Sequence, residues 1–178
     1  MMESTSESVL GAALVVGGGI AGVQAALDLA DSGVRVYLVE REAAIGGKMA
    51  QLDKTFPTND CAMCILSPKL VEAGRHRNID ILAMSDILRL EGKAGHFRAT
   101  VRRRPRYISL DACTACNDCV EVCPVTVPNE FNEGLAARKA IYKPYPQAVP
   151  SAYAISKRGT SPCKATCPAG TSAQGYIA

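Results

Sequence analysis

The sequence predicts an α/β fold in which the first part of a Rossmann-like dinucleotide-binding domain is interrupted by a small cysteine-rich module. Three observations predict it. A glycine-rich turn, Gly17 to Gly22, stands between an apolar run and an amphipathic stretch. A second apolar run follows and ends at an acidic residue, Glu40. Further on, four cysteines crowd into the stretch from Cys113 to Cys123, with Pro124 behind them. The chain has 178 residues, enough for one ordinary domain and a small module.

Ala12 to Val16 is a short apolar run and reads as a buried strand. Gly17, Gly19 and Gly22 then fit G-x-G-x-x-G. From Gly22 to Ser32 the apolar residues fall at helical spacing, with Val23, Ala26, Leu27 and Ala30 on one face. Gly33 is placed to close that helix, because glycine tolerates the left-handed cap. Val34 to Val39 reads as the next strand. In such a unit the first glycine makes the turn, the second admits a pyrophosphate, and the third lets helix pack on strand. Helix N–H groups then face the phosphates, and Glu40 accepts from ribose hydroxyls. The cofactor-binding candidates are Gly17, Gly18, Gly19, Ile20, Ala21, Gly22, Glu40, Arg41, Gly46 and Gly47. Arg41 reads as flanking charge beside Glu40. Gly46-Gly47 lies six residues after Glu40, a spacing that resembles flavoproteins with two dinucleotide-binding domains. It favours FAD over NAD(P).

The second signal is Cys113, Cys116, Cys119 and Cys123, spaced C-x2-C-x2-C-x3-C and followed by proline. This is the bacterial ferredoxin spacing for a [4Fe–4S] cluster. Two-residue gaps let one loop wrap three corners of a cube, while the longer gap sends the fourth cysteine away. In two-cluster ferredoxins that fourth cysteine serves the other cube. Zinc more often takes separated C-x2-C pairs with histidine. Here the two histidines, His76 and His96, lie far from the run. Two further pairs are candidate metal ligands: Cys61 with Cys64, and Cys163 with Cys167. For Cys61 and Cys64 three readings stand open: cluster ligands, a redox dithiol beside the flavin, or inert buried thiols. Cys-x-x-Cys spacing supports the second by lowering a thiol pKa.

Composition excludes several classes. A net charge of +3 points to no nucleic-acid partner. The stretch from Val9 to Ala30 is nearly long enough to span a bilayer, but it holds three consecutive glycines, Gln24 and Asp28. Glu3 and Glu7 precede it, where a signal peptide needs positive charge. No membrane insertion is expected, and free cysteines at cluster spacing indicate a reducing compartment, hence the cytoplasm. No Ser-His-Asp set or carboxylate pair supports hydrolysis.

Between the motifs, Thr58-Asn59-Asp60 offers caps for a helix near Cys64 to Ala73, with Pro68 limiting its first turn and Gly74 ending it. Ile79 to Ala83 reads as a third strand. Ile87 to Glu91 and Phe97 to Arg103 read as an antiparallel hairpin. Asn129 to Ile141 has moderate helical character. Lys143 to Pro150 is proline-rich and reads as a linker or extended strap. The basic cluster of Arg102, Arg103, Arg104 and Arg106 reads as a solvated strand end, or as a lure for an acidic donor protein.

The stretches LVVGGGIAGVQAALDLADSGVRVYLVE, GGKMAQLDKTFPTNDCAMCILSPKLVEAGRH and PNEFNEGLAARKAIYKPYPQAVP resemble the A subunit of heterodisulfide reductase, over about Leu10 to Pro150. That resemblance implies a thioredoxin-reductase-like FAD domain with an inserted ferredoxin-like [4Fe–4S] module. It also implies several clusters, electron-transfer oxidoreduction and a role in flavin-based bifurcation. The partners it implies are other subunits of that reductase type, together with a hydrogenase, formate dehydrogenase or ferredoxin. SPCKATCPAGTSAQGYIA resembles the iron–sulfur segment of the glutamate synthase small subunit, which keeps an NADPH-dependent reductase of that type as a rival. A non-catalytic wiring scaffold is the other rival. The expected organisation is a disordered tail (1–11), the N-terminal part of an FAD domain (12–105) and the cluster module (106–130). A helix with a Pro-rich linker (131–160) and a truncated second iron–sulfur segment (161–178) follow. The chain so read is a fragment of a longer flavoprotein.

Overall fold

A computed structural model describes residues 11–157, 164 and 166–171. The expected tail and most of the C-terminal segment, Cys163 included, lie outside the described residues. A three-stranded parallel sheet forms the first half, in the order β1-β2-β3, with β1 Ala12–Val16, β2 Arg35–Val39 and β3 Ile79–Leu82. Leu14 pairs with Tyr37, and Leu38 pairs with Ile81. Helix α1, Ile20–Asp31, connects β1 to β2 and buries the predicted face, Val23, Ala26, Leu27 and Ala30. Its end is built as expected. Ser32 and Gly33 donate backbone bonds to Asp28 and Ala30, and Gly33 takes φ +87°.

Helix α2, Ala62–Arg75, returns from the far end of β2 to the start of β3. It is longer than the sequence suggests and carries Pro68 in its interior. Proline removes one backbone bond to the residue four back. Tertiary packing offsets that loss, since Leu66, Leu70 and Ala73 are fully buried against α1 and the sheet. Each such leucine contributes about 1.5–3 kcal/mol by burial. Gly74 does not end the helix. A Cβ there would meet Val149 Cγ1 at 2.7 Å, so Gly74 is a contact point for a later segment.

β1 departs from the buried strand the sequence predicts. Among the described residues no strand pairs with its outer edge, so Leu14 and Val16 are 36% and 65% exposed. The apolar run records the character of a parallel strand, but the described chain supplies only one neighbour.

After β3 the chain forms the expected hairpin, β4 Ser85–Lys93 and β5 His96–Arg103, with a register shift between Ile87 and Arg89. A short helix α3, Asp118–Glu121, follows inside the cysteine run. Small antiparallel ladders come next: β6 Thr126–Pro128 with β7 Ala137–Lys139, and β8 Ile141–Tyr142 with β9 Ala154–Ile155. The helix expected over Asn129 to Ile141 is absent. Only a 3-10 turn forms there, Glu130–Asn132, and left-handed Glu133 ends it. The stretch from Lys143 to Pro150, read as a linker or a strap, packs against the core and does not run free. Tyr145 and Ala148 sit in the main core, and Ile45 donates its N–H to Val149 O at 2.9 Å.

Candidate functional site

The glycine turn lies at the carboxyl edge of the sheet, where open α/β sheets bind ligands. Gly17 takes φ +99° and donates its N–H to Val39 O at 2.8 Å, fixing the turn against β2. Gly22 is required by contact: a Cβ would stand 1.9 Å from Gly17 O. A Cβ on Gly19 would instead face open space, which leaves room for a phosphate to approach the backbone. Ile20 and Ala21 open α1, and the first turn carries no acidic side chain. Its unpaired N–H groups therefore present positive potential that favours an anion.

Glu40 is buried, at 8% exposure. Its Oε2 accepts from Gly18 N at 2.6 Å and its Oε1 from Glu42 N at 2.7 Å. The carboxylate thus shapes the turn, and each oxygen retains acceptor capacity for a hydroxyl. Arg41 is exposed and pairs with Asp86 at 3.6 Å. Gly46 donates its N–H to Gly18 O at 2.6 Å, and a Cβ on Gly47 would lie 2.9 Å from Gly19 Cα. The Gly46-Gly47 loop therefore closes on the glycine turn. Tyr145 locks this closure by donating its hydroxyl to Ile45 O. Burial, and then the Glu40 carboxylate, push its phenol pKa up.

A cleft of about 640 Å³ opens beside Gly47. Phe131, Tyr142 and Tyr145 give it an aromatic wall, and Lys48, Arg104 and Arg138 line it together with Glu42, Glu130 and Glu133. Phe131 stacks on Tyr145 at 5.4 Å, and the Arg138 guanidinium lies 3.6 Å from the Tyr142 ring centre. This volume is ordinary for a cofactor site.

The cysteine run folds as a loop. Ala115 and Asn117 take left-handed conformations, at φ 57° and 81°, and α3 then carries Cys119. Cys116 is exposed, Cys113 and Cys119 are half-buried, and Cys123 is buried. Backbone hydrogen bonding from Ile141 leads the causes that hold the Cys123 thiol below its ordinary range, which favours the thiolate a metal needs. Among the described residues no three Cys, His, Asp or Glu side chains converge on a single-ion site. A cube spreads its four thiolates over four irons, so the soft donor set and looped run still fit a cluster. Of the other pair, Cys167 is half-exposed, and hydrogen bonds from Thr171 lower its pKa.

Cys61 and Cys64 are joined by a disulfide. Cys61 caps α2, and its Sγ accepts from Cys64 N at 3.2 Å. No third metal-binding side chain joins them among the described residues.

Sequence reasoning missed the groups that tie the two sites together. Arg106 donates to Ala43 O, beside the Gly46-Gly47 loop, and to Ala152 O and Tyr153 O at 3.1 and 3.3 Å. Tyr153 in turn donates its hydroxyl to Asn117 Oδ1 at 2.8 Å, inside the cysteine loop. Burial first, and then the thiols of Cys119, Cys113 and Cys116, raise the Tyr153 pKa. Arg106 belongs to the basic cluster read as a solvated strand end, yet burial lowers its pKa. Arg102 and Arg104 keep the surface role and pair with Asp86. Sequence motifs carry no signal for Arg106 or Tyr153, because their partners are backbone carbonyls and one loop amide.

The fold and these residues define a flavoprotein-type dinucleotide-binding domain carrying a ferredoxin-like cysteine module. The FAD dependent oxidoreductase family matches residues 13–86, and the 4Fe-4S binding domain family matches residues 106–127. FAD and a [4Fe–4S] cluster are the cofactors of these two families. Across the matched residues the chain belongs to the family of heterodisulfide reductase A subunits. It is 56% identical over 154 residues to the second iron-sulfur A subunit of CoB–CoM heterodisulfide reductase from Methanopyrus kandleri, covering 86% of this chain and 24% of that protein. It is 51% identical over 156 residues to the A subunit of H(2):CoB-CoM heterodisulfide,ferredoxin reductase from Methanothermobacter thermautotrophicus, covering 88% and 24%. The chain therefore spans about a quarter of the length of these relatives. The L-proline dehydrogenase structure from P. horikoshii is also similar, at 26% identity and TM-score 0.46, over 53% of this chain and 19% of that one. No helix among the described residues is long and apolar enough to cross a membrane.

Proposed function

We propose that this chain is the FAD- and [4Fe–4S]-bearing entry part of a heterodisulfide-reductase-type electron-transfer subunit. The observation that carries the reading is the Arg106–Tyr153 bridge, which fixes the cysteine loop against the loop that closes on the glycine turn. Electron transfer requires the two cofactors at a fixed separation, and the protein's task is to hold them there. Gly17 to Gly22 receive the pyrophosphate on the α1 N-terminus, Glu40 accepts from the ribose, and Gly46 and Gly47 close the site. When bound, FAD supplies exchange between electron pairs and single electrons. Phe131 and Tyr145 give the adjoining cleft an apolar wall, where Lys48 and Arg138 are paired with Glu133 and Glu130. Cys113, Cys116 and Cys119 hold the first cube, and Cys123 serves it or a second one shared with Cys163 and Cys167. The partners are other subunits of such a reductase, with a hydrogenase, formate dehydrogenase or ferredoxin supplying electrons in the cytoplasm. Exposed Arg98 and Arg103 on β5 favour an acidic donor. Bifurcation at the flavin is the finer form of this reading.

The test is anaerobic reconstitution of the chain with FAD, iron and sulfide. The expected product carries equal iron and labile sulfide, and it binds FAD in preference to NADP. Zinc without labile sulfide, or preference for NADP over FAD, overturns the reading.

A further inference from the structure

Arg106 differs from the other cations of its run. Arg102 and Arg104 pair with Asp86, and Arg103 is exposed. Arg106 turns inward and is half-buried, and its guanidinium donates to three backbone carbonyls, Ala43 O, Ala152 O and Tyr153 O. Among the described residues no carboxylate stands within ion-pair distance of it. Carbonyls are neutral, so they aim the fork without cancelling its charge. Arginine stays protonated at any working pH. A partly buried charge is costly unless a counter-charge accompanies it, and no counter-charge is supplied by a side-chain carboxylate here.

The structure directs that charge toward the cysteine loop. Tyr153, whose carbonyl accepts from Arg106, is buried and donates its own hydroxyl to Asn117 Oδ1 at 2.8 Å. Asn117 lies between Cys116 and Cys119. Ile155 donates its N–H to Arg106 O at 3.1 Å, so both the backbone and the head group of Arg106 are tied to the segment that carries Tyr153. Burial leads the causes that lower the Arg106 pKa, and Cys113 is among the groups that oppose them. Ala152, Tyr153 and Ala154 are all buried, which limits screening by water.

We propose that Arg106 is the counter-charge of the cluster held by the Cys113 run, and that it raises that cluster's reduction potential by favouring the reduced form. The inference rests on the cluster reading above. Reduction adds one electron and makes or breaks no bond. A cube ligated by thiolates is already an anion, and the added electron deepens its negative charge. A fixed cation nearby therefore stabilises the reduced form more than the oxidised one. Net charge and solvent exposure are among the levers that set such potentials.

The experiment is an anaerobic redox titration of the full reconstituted chain with dithionite and mediators. It follows the low-temperature EPR signal of the reduced cluster that Cys116→Ala removes. Arg106→Gln keeps a donor for the carbonyls and removes the charge. Its reduced-to-oxidised ratio at a fixed potential should fall at least tenfold, a midpoint drop of about 59 mV for a one-electron couple, with iron and labile sulfide unchanged. Arg106→Lys keeps the charge and loses the fork, and its midpoint should stay near that of the unmodified chain. Tyr153→Phe breaks the bond to Asn117 but leaves the charge in place, and it should shift the midpoint less than Arg106→Gln does. An unchanged midpoint in Arg106→Gln overturns the proposal. So does an equal drop in Arg106→Lys or Tyr153→Phe, because loop geometry would then be the cause. Iron loss in Arg106→Gln makes Arg106 a structural tether and also overturns it. Unmodified chain that assembles no cluster refutes the cluster reading itself, whereas an intact cluster indifferent to the charge at position 106 refutes this inference alone.

Discussion

Residues 12–82 and residues 106–157 are held together in different ways. The first region buries a continuous apolar cluster, with Val23, Val36, Leu38, Ile45, Leu66 and Leu70 all at 0% exposure. The second buries few side chains. Cys123, Ala140 and the short stretch Ala152 to Ala154 are its main buried residues, and its ladders are two or three residues long. Val122, Val125 and Leu135 there are 80%, 52% and 90% exposed. The first region is thus specified by hydrophobic burial, at about 25 cal/mol per Å². The second relies on backbone hydrogen bonds, the Arg106–Tyr153 bridge and, when bound, its cluster, whose binding energy is also folding energy. Tyr145 and Ala148 are the exception, because they leave the second region to complete the core of the first.

The largest expected effect breaks the second region and spares the first. Chelating the iron from reconstituted protein should strip hydrogen-exchange protection from residues 106–130, while amides of β2 and α1 keep theirs. Equal loss in both regions would show that the two fold as one unit. Next comes Gly22→Ala, which drives a methyl into Gly17 O. It should destabilise the chain by roughly 1–3 kcal/mol and abolish FAD binding, yet leave iron content unchanged. Urea midpoints and flavin retention after gel filtration measure it. Glu40→Ala removes the partner of Gly18 N and Glu42 N. A charged hydrogen bond to backbone is worth about 1.5–3 kcal/mol, so both stability and FAD affinity should fall. An unchanged urea midpoint with weakened FAD would restrict Glu40 to the ribose.

The smallest effect is alkaline. Tyr145, Tyr142 and Tyr153 have raised pKa values, each chiefly through burial. The unfolded chain then loses its phenol protons first, as the pH passes about 10. Stability from these groups is intact below that pH and declines as it rises further. Urea midpoints at successive pH values should fall above about 10, and Tyr145→Phe should flatten the fall.

The sequence by itself determined the features whose cause is local. G-x-G-x-x-G works through contacts within a few residues, so Gly17, Gly22 and the α1 face are legible in the order of residues alone. The hairpin and the stop at Gly33 are legible for the same reason. The cysteine spacing likewise carries its chemistry in one loop. Only the tertiary structure decided what depends on distant chain. It carried α2 through Pro68 and Gly74, because buried leucines offset a lost backbone bond and Val149 needed the space that glycine leaves. It replaced the helix expected over Asn129 to Ile141 with a short turn and edge ladders, where packing overrides weak propensity. It turned the apparent linker around Tyr145 into core, and it left β1 an exposed edge because the described residues pair only one side. Arg106 and Tyr153 became the bridge between the two sites through backbone acceptors that no sequence pattern encodes. Local sterics leave a signature in the order of residues, whereas burial and backbone hydrogen bonding depend on which remote segments arrive alongside.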